Sequence, residues 1–145
     1  KTFVIDSISD YFVKRGKRVL QICFGTNYKF ISVKDVYQHL DGELGFSDIS
    51  IKKVKLEMNI ASSMDVNGFK QFFGRVSNFD FIFIESWAIL DSQVFMNISK
   101  LVDENIIISE PRDTPGLVKI MADGFSNLDI NISRIIYNHP KHLIL

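Results

Sequence analysis

The sequence predicts an α/β domain with a mostly parallel sheet and helices on both of its faces. Three observations point there. Five short apolar runs alternate with stretches of helical spacing. Phe79 to Ile84 and Ile106 to Ile108 are nearly continuous in β-branched or aromatic residues, as in strands covered on both sides. Helix boundaries are punctuated by Gly16, by Asp41-Gly42 and by Thr114-Pro115.

Taken in order, residues 3 to 15 place Val4, Ile8, Tyr11 and Phe12 on one helical face, and Gly16 ends the segment as a C′ glycine. The first strand is Val19 to Phe24. A second helix is marked by Val33, Val36, Tyr37 and Leu40, and the next strand is Val54 to Ile60. Phe69, Phe72, Phe73 and Val76 mark a third helix, followed by the strand Phe79 to Ile84. Val94, Phe95, Ile98, Leu101 and Val102 mark a fourth helix before the strand Asn105 to Ser109. The fifth opens with Thr114 as N-cap and Pro115 at N1, and carries Leu117, Ile120, Met121 and Phe125. Ile130 to Tyr137 closes the series. Such alternation implies βαβ units with right-handed crossovers. No repeat or linker divides the sequence, so residues 1–145 read as one domain.

Composition narrows the function classes. At 145 residues with 46% apolar content, the chain can bury a core of its own. Lysine plus arginine and aspartate plus glutamate both number 17, which disfavours a broadly basic, nucleic-acid-wrapping surface. One cysteine, Cys23, excludes an internal disulfide and fits a reducing, cytoplasmic compartment. No apolar run approaches the roughly 20 residues of a membrane span. His39, His139 and His142 lack metal-ligand spacing, and Ser62-Ser63 has no histidine partner that spacing assigns. Lys14-Arg15-Gly16-Lys17-Arg18 is a basic cluster that reads as a solvated helix-to-strand corner, favourable at a helix C-terminus, or as a contact for phosphate or an acidic partner.

The order of several segments has a family likeness. Lys1-Thr2 leading into an amphipathic helix, then Gly16-Lys17-Arg18 and Val19-Leu20-Gln21-Ile22, resembles the segment after the phosphate-binding loop of ParA/MinD-type ATPases. Within that superfamily the chain is most similar to bacterial tyrosine kinases and their relatives in capsule and exopolysaccharide assembly. Ile31 to Val36 with Leu40 to Glu43, Phe79 to Ser86, Val102 to Ile108 with Thr114, and Tyr137-Asn138 carry the likeness nearly end to end. It implies a doubly wound nucleotide-binding fold whose first strand and glycine-rich loop are expected upstream of Lys1.

It also implies a site. Lys1 and Thr2 match the tail of the phosphate-binding motif, in which the lysine reaches phosphate oxygens and the hydroxyl binds magnesium. Asn138 matches an asparagine that contacts the adenine base in the family, and reads on its own as a turn residue in Asn138-His139-Pro140. Arg112, with Asp113, lies in the loop after a strand, where open α/β sheets gather ligands. Glu85 replaces the Walker B-type aspartate, and reads either as a metal ligand or as a strand-end carboxylate that caps the next turn. Trp87 stands where the family has proline, and reads as a packing residue. The family's aspartate pair, which supplies a base and organises magnesium, falls on Cys23 and Gly25. Cys23 reads either as a reactive thiol or, more simply, as a small core residue.

With that pair gone, the resemblance implies no catalytic residue, and ATP with magnesium becomes a cofactor pair that the chain has kept or lost. The leading expectation is a degenerate regulatory or interaction module, with a membrane polysaccharide co-polymerase or a second copy as partner. An active ATPase or tyrosine autokinase, and a partitioning or positioning ATPase, are the alternatives.

Overall fold

The structure, a computed structural model, describes residues 2–25, 38, 52–59, 66–86, 93–110 and 113–137. It comprises two compact units, Thr2–Ala88 and Ile89–Leu145 together with Lys1. In the first unit, helix α1 (Thr2–Lys14) precedes strand β1 (Val19–Gly25), and strand β2 (Lys53–Asn59), helix α2 (Val66–Arg75) and strand β3 (Phe81–Glu85) follow. The second contains α3 (Gln93–Ser99), β4 (Asn105–Ser109), α4 (Pro115–Asn127) and β5 (Ile132–Tyr137). The expected helix around Val33 to Leu40 lies outside the described residues apart from Gln38, which is helical.

In the first unit β1 lies between β2 and β3, and both pairings are parallel. Every residue of β1 is buried. Period-two alternation divides its side chains between two surfaces. Leu20, Ile22 and Phe24 share one surface with Val54 and Leu56 of β2 and with Ile82 and Ile84 of β3. There α2 packs, with the Phe69 ring 6.2 Å from Phe24 and Phe69 and Phe72 both 1% exposed. The opposite surface carries Val19, Gln21 and Cys23, flanked by Lys53, Lys55 and Glu57 and by Phe81, Phe83 and Glu85.

Helix α1 covers that second surface. Phe12 stacks on Phe81 at 3.9 Å and lies 6.2 Å from Phe83. Gln21 Nε2 donates to Ser9 Oγ at 2.8 Å and to Asp6 Oδ1 at 3.0 Å, while Lys53 Nζ reaches Asp10 at 2.7 Å and Asp6 at 3.8 Å. Ser9 and Gln21 are 0% and 1% exposed, so these bonds lie between helix and sheet. The helix ends in a Schellman turn: Gly16, at φ +81°, donates to the Val13 carbonyl, and Lys17 donates to that of Phe12. Asp80 then joins two strand starts, its Oδ2 accepting the Arg18 N–H at 2.7 Å.

The run Ile106 to Ile108, read as covered on both sides, is more lopsided in the structure, since Ile106 of β4 is exposed. Strand β2 buries Val54 and Leu56 but exposes Lys55 and Glu57. The lysines and glutamate along β2 suit an edge, where charge discourages further pairing; β2 pairs only with β1 among the described residues.

The second unit is a βαβ arrangement. Strands β4 and β5 pair in parallel, with a register shift at Asn105/Ile106 that skips Ser133, whose hydroxyl donates to the Asn105 carbonyl at 3.0 Å. Ile107, Phe125 and Ile130 form its core, with Phe95, Met96, Met121 and Ala122 packed around them. Thr114 caps α4 as its sequence predicts, Oγ1 accepting the Leu117 N–H at 3.2 Å, with Pro115 opening the helix. The helix leaves through a second Schellman turn, here with Asp129 rather than glycine at positive φ, 57°.

Two outcomes are expected from this packing. Truncating Phe69 to Ala opens a cavity at the α2–sheet contact and lowers unfolding stability by about 3–5 kcal/mol in denaturant titration. Asp129→Gly removes a left-handed strain and raises stability by about 1 kcal/mol; a lower melting temperature for that variant contradicts the turn geometry.

Candidate functional site at the sheet rim

The carboxyl ends of parallel strands are where α/β sheets gather ligands. In the first unit that rim is formed by Gly25 of β1, Asn59 of β2 and Glu85 of β3. Helix α1 delivers its N-terminus to the same rim. Ser9 is level with Gln21, and from Ser9 back to Thr2 the helix rises about 10 Å. A strand covers that distance in about three residues, so the helix begins beside Phe24 and Gly25. Thr2 therefore opens a helix whose positive end lies at the rim that also carries Cys23, Gly25 and Glu85.

The register sets three residues of this rim side by side. Cys23 pairs with Glu57 on one side and with Glu85 on the other, all three on the surface that α1 covers. The Cys23 thiol donates to Glu85 Oε2 at 3.6 Å. Burial first, then the charge of Glu85, pushes that thiol up to about 11. Lys55 opposes the shift and the Glu85 hydrogen bond and Glu57 add to it. At neutral pH the sulfur is therefore a protonated donor to a carboxylate, the core-residue behaviour and the reverse of an activated thiolate.

Of the residues assigned from sequence, Thr2, Cys23, Gly25 and Glu85 share this rim. Lys1, Trp87, Arg112 and Asn138 lie outside the described residues. Asp113 is described: its N–H donates to the Glu110 carbonyl at 2.9 Å and its Oδ2 accepts the Glu110 N–H, closing the turn before Thr114. Sequence reasoning missed Glu57 and the Gln21–Ser9–Asp6 connection. The signal for Glu57 was there in the alternation of Lys53, Lys55 and Glu57 with Val54 and Leu56.

The fit of magnesium can be tested against this donor set. A hard cation that keeps several waters is held by carboxylates free to face it. Here Glu85 accepts a hydrogen bond from a thiol, and the neighbouring strand contributes sulfur and a glycine where the resemblance leads one to expect an aspartate pair. Among the described residues no three histidine, cysteine, aspartate or glutamate side chains converge as a metal site. The rim does not fit a magnesium centre of the kind the resemblance implies. What it retains is the helix N-terminus, which favours an anion.

No family model, no curated protein and no solved structure matches the chain. Among the described residues no helix is long and apolar enough to cross a membrane.

The thiol geometry gives a direct test. Because the folded value is raised from about 9 to about 11, the protonated thiol's contribution to stability is complete below pH 9 and is lost as pH climbs through 11. Cys23→Ala is expected to flatten that alkaline decline. The native thiol is expected to resist iodoacetamide near neutral pH until the chain is unfolded; rapid alkylation of the native protein rejects this arrangement.

Proposed function

We propose that this chain is a degenerate nucleotide-binding-fold domain of doubly wound type, similar to the cytoplasmic tyrosine-kinase-like domain of a capsule or exopolysaccharide assembly protein. It acts as a regulatory or interaction module and not as a phosphoryl-transfer enzyme. The observation that carries this reading is the rim: a helix N-terminus opening at Thr2 beside parallel strand ends, with Cys23 and Gly25 where the chemistry needs carboxylates.

The physical argument is electrostatic. Phosphoryl transfer depends on metal ions that neutralise charge between phosphates and on a carboxylate that orients the nucleophile. A protonated thiol can do neither, and Glu85 is engaged by it. A helix N-terminus can still attract phosphate without hydrolysing it. Two further features support the reading: α1 and α2 cover opposite surfaces of a parallel sheet, and the second unit repeats the βαβ pattern.

The full-length protein tests this with a fluorescent ATP analogue and a phosphate-release assay. Magnesium-dependent release is expected to stay at the level of a magnesium-free control, whether or not the analogue binds. Robust magnesium-dependent hydrolysis, abolished by Thr2→Ala, restores the active ATPase or autokinase in its place.

A further inference from the structure

Helix α1 has an outward side that the sheet does not use. Positions 3, 7, 11 and 14 fall on one stripe of a helix. Here they are Phe3, Ser7, Tyr11 and Lys14, with Phe3 71% and Tyr11 51% exposed. The Arg15 guanidinium lies 3.5 Å over the Tyr11 ring and also donates to the Tyr11 carbonyl, so cation and aromatic are presented together. Beyond the helix end the Schellman turn brings Lys52 in: its Nζ is 3.8 Å from where a Cβ on Gly16 would stand.

Charge at this corner is uneven. Lys53 is neutralised by Asp6 and Asp10, Lys17 pairs with Asp80, and the Arg18 guanidinium lies 5.0 Å over the Phe79 ring. Arg15 and Lys52 make no ion pair among the described residues, Lys14 is shared only at longer range with Asp10, whose carboxyl it helps hold below the usual range, and all three cations are exposed. A local positive excess therefore stands on a chain whose formal net charge is zero.

We infer that the outward side of α1 and its basic corner dock on an anionic lipid surface. Charge complementarity selects an anionic partner. The shape suits a lipid surface: the side is the convex back of a helix that carries two exposed aromatic rings. Phe3 and Tyr11, about 12 Å apart along the axis, supply aromatic rings for the headgroup region. Lys14, Arg15 and Lys52 supply the attraction to its charge. None of these residues belongs to the rim site, so the inference stands apart from the nucleotide reading.

Co-sedimentation of the full-length protein with phosphatidylcholine vesicles, with and without phosphatidylglycerol, tests it. Binding is expected only with the anionic lipid and is expected to weaken as salt rises. Lys14→Ala and Lys52→Ala are each expected to lower the partition coefficient on the order of fivefold. Phe3→Ser is expected to weaken binding while circular dichroism stays unchanged. No binding to the anionic vesicles, equal binding to both compositions, or full binding by the double lysine variant overturns the proposal. So does tighter, salt-sensitive binding to a labelled duplex DNA or a glutamate-rich peptide, which transfers the surface to that class of partner.

Discussion

Gln21 sits at the middle of a strand buried along its whole length, and its amide joins the sheet to α1. An amide in an interior must be hydrogen-bonded or it destabilises the fold by the cost of its desolvation. Nε2 meets that need through Ser9 and Asp6, and the same Asp6 draws Lys53 from the neighbouring strand. Apolar contacts such as Phe12 on Phe81 press helix and sheet together without fixing where along its axis the helix stops. The directional bonds fix it. They bring the helix N-terminus to the strands' carboxyl ends, and the candidate site exists only because of that alignment.

The two surfaces of the three-stranded sheet differ accordingly. The one under α2 is filled by aliphatic residues and phenylalanines and has little to distinguish one helix position from another. The one under α1 mixes Gln21, Cys23 and the charged residues of β2 and β3 with a few aromatic contacts. Polar groups between layers confer specificity at a cost in desolvation. Gln21 Oε1 shows part of that cost, since it is buried without a partner among the described residues.

At the rim the same packing converts a potential nucleophile into a quiet donor. Cys23 is deep enough, and close enough to Glu85, that losing its proton is unfavourable twice over: by burial and by like charge. Carboxylates at positions 23 and 25 would face the reverse situation only if a metal ion or a basic group stood opposite. Lys55 of β2 opposes the shift only in part, and the Cys23 thiol meets Glu85 as a hydrogen-bond donor.

Strand positions were legible in the sequence because runs such as Val19 to Phe24 and Asn105 to Ser109 are short, apolar and bounded by polar residues. Caps were legible because Gly16 and Thr114-Pro115 have local, nearly context-free preferences. The Schellman turn at Asp129 was not, since only the packing of Ile130 onto Phe125 makes the left-handed residue worthwhile. Nor could sequence tell that β2 lies beside β1 alone among the described residues, because exposure depends on which neighbours a strand has. The sequence alone determined the alternation of strands and helices and the absence of carboxylates at Cys23 and Gly25, both written in residue type. Only the tertiary structure decided that Thr2, Cys23, Glu57 and Glu85 share one rim, because register and helix placement arise from contacts between residues far apart in the chain.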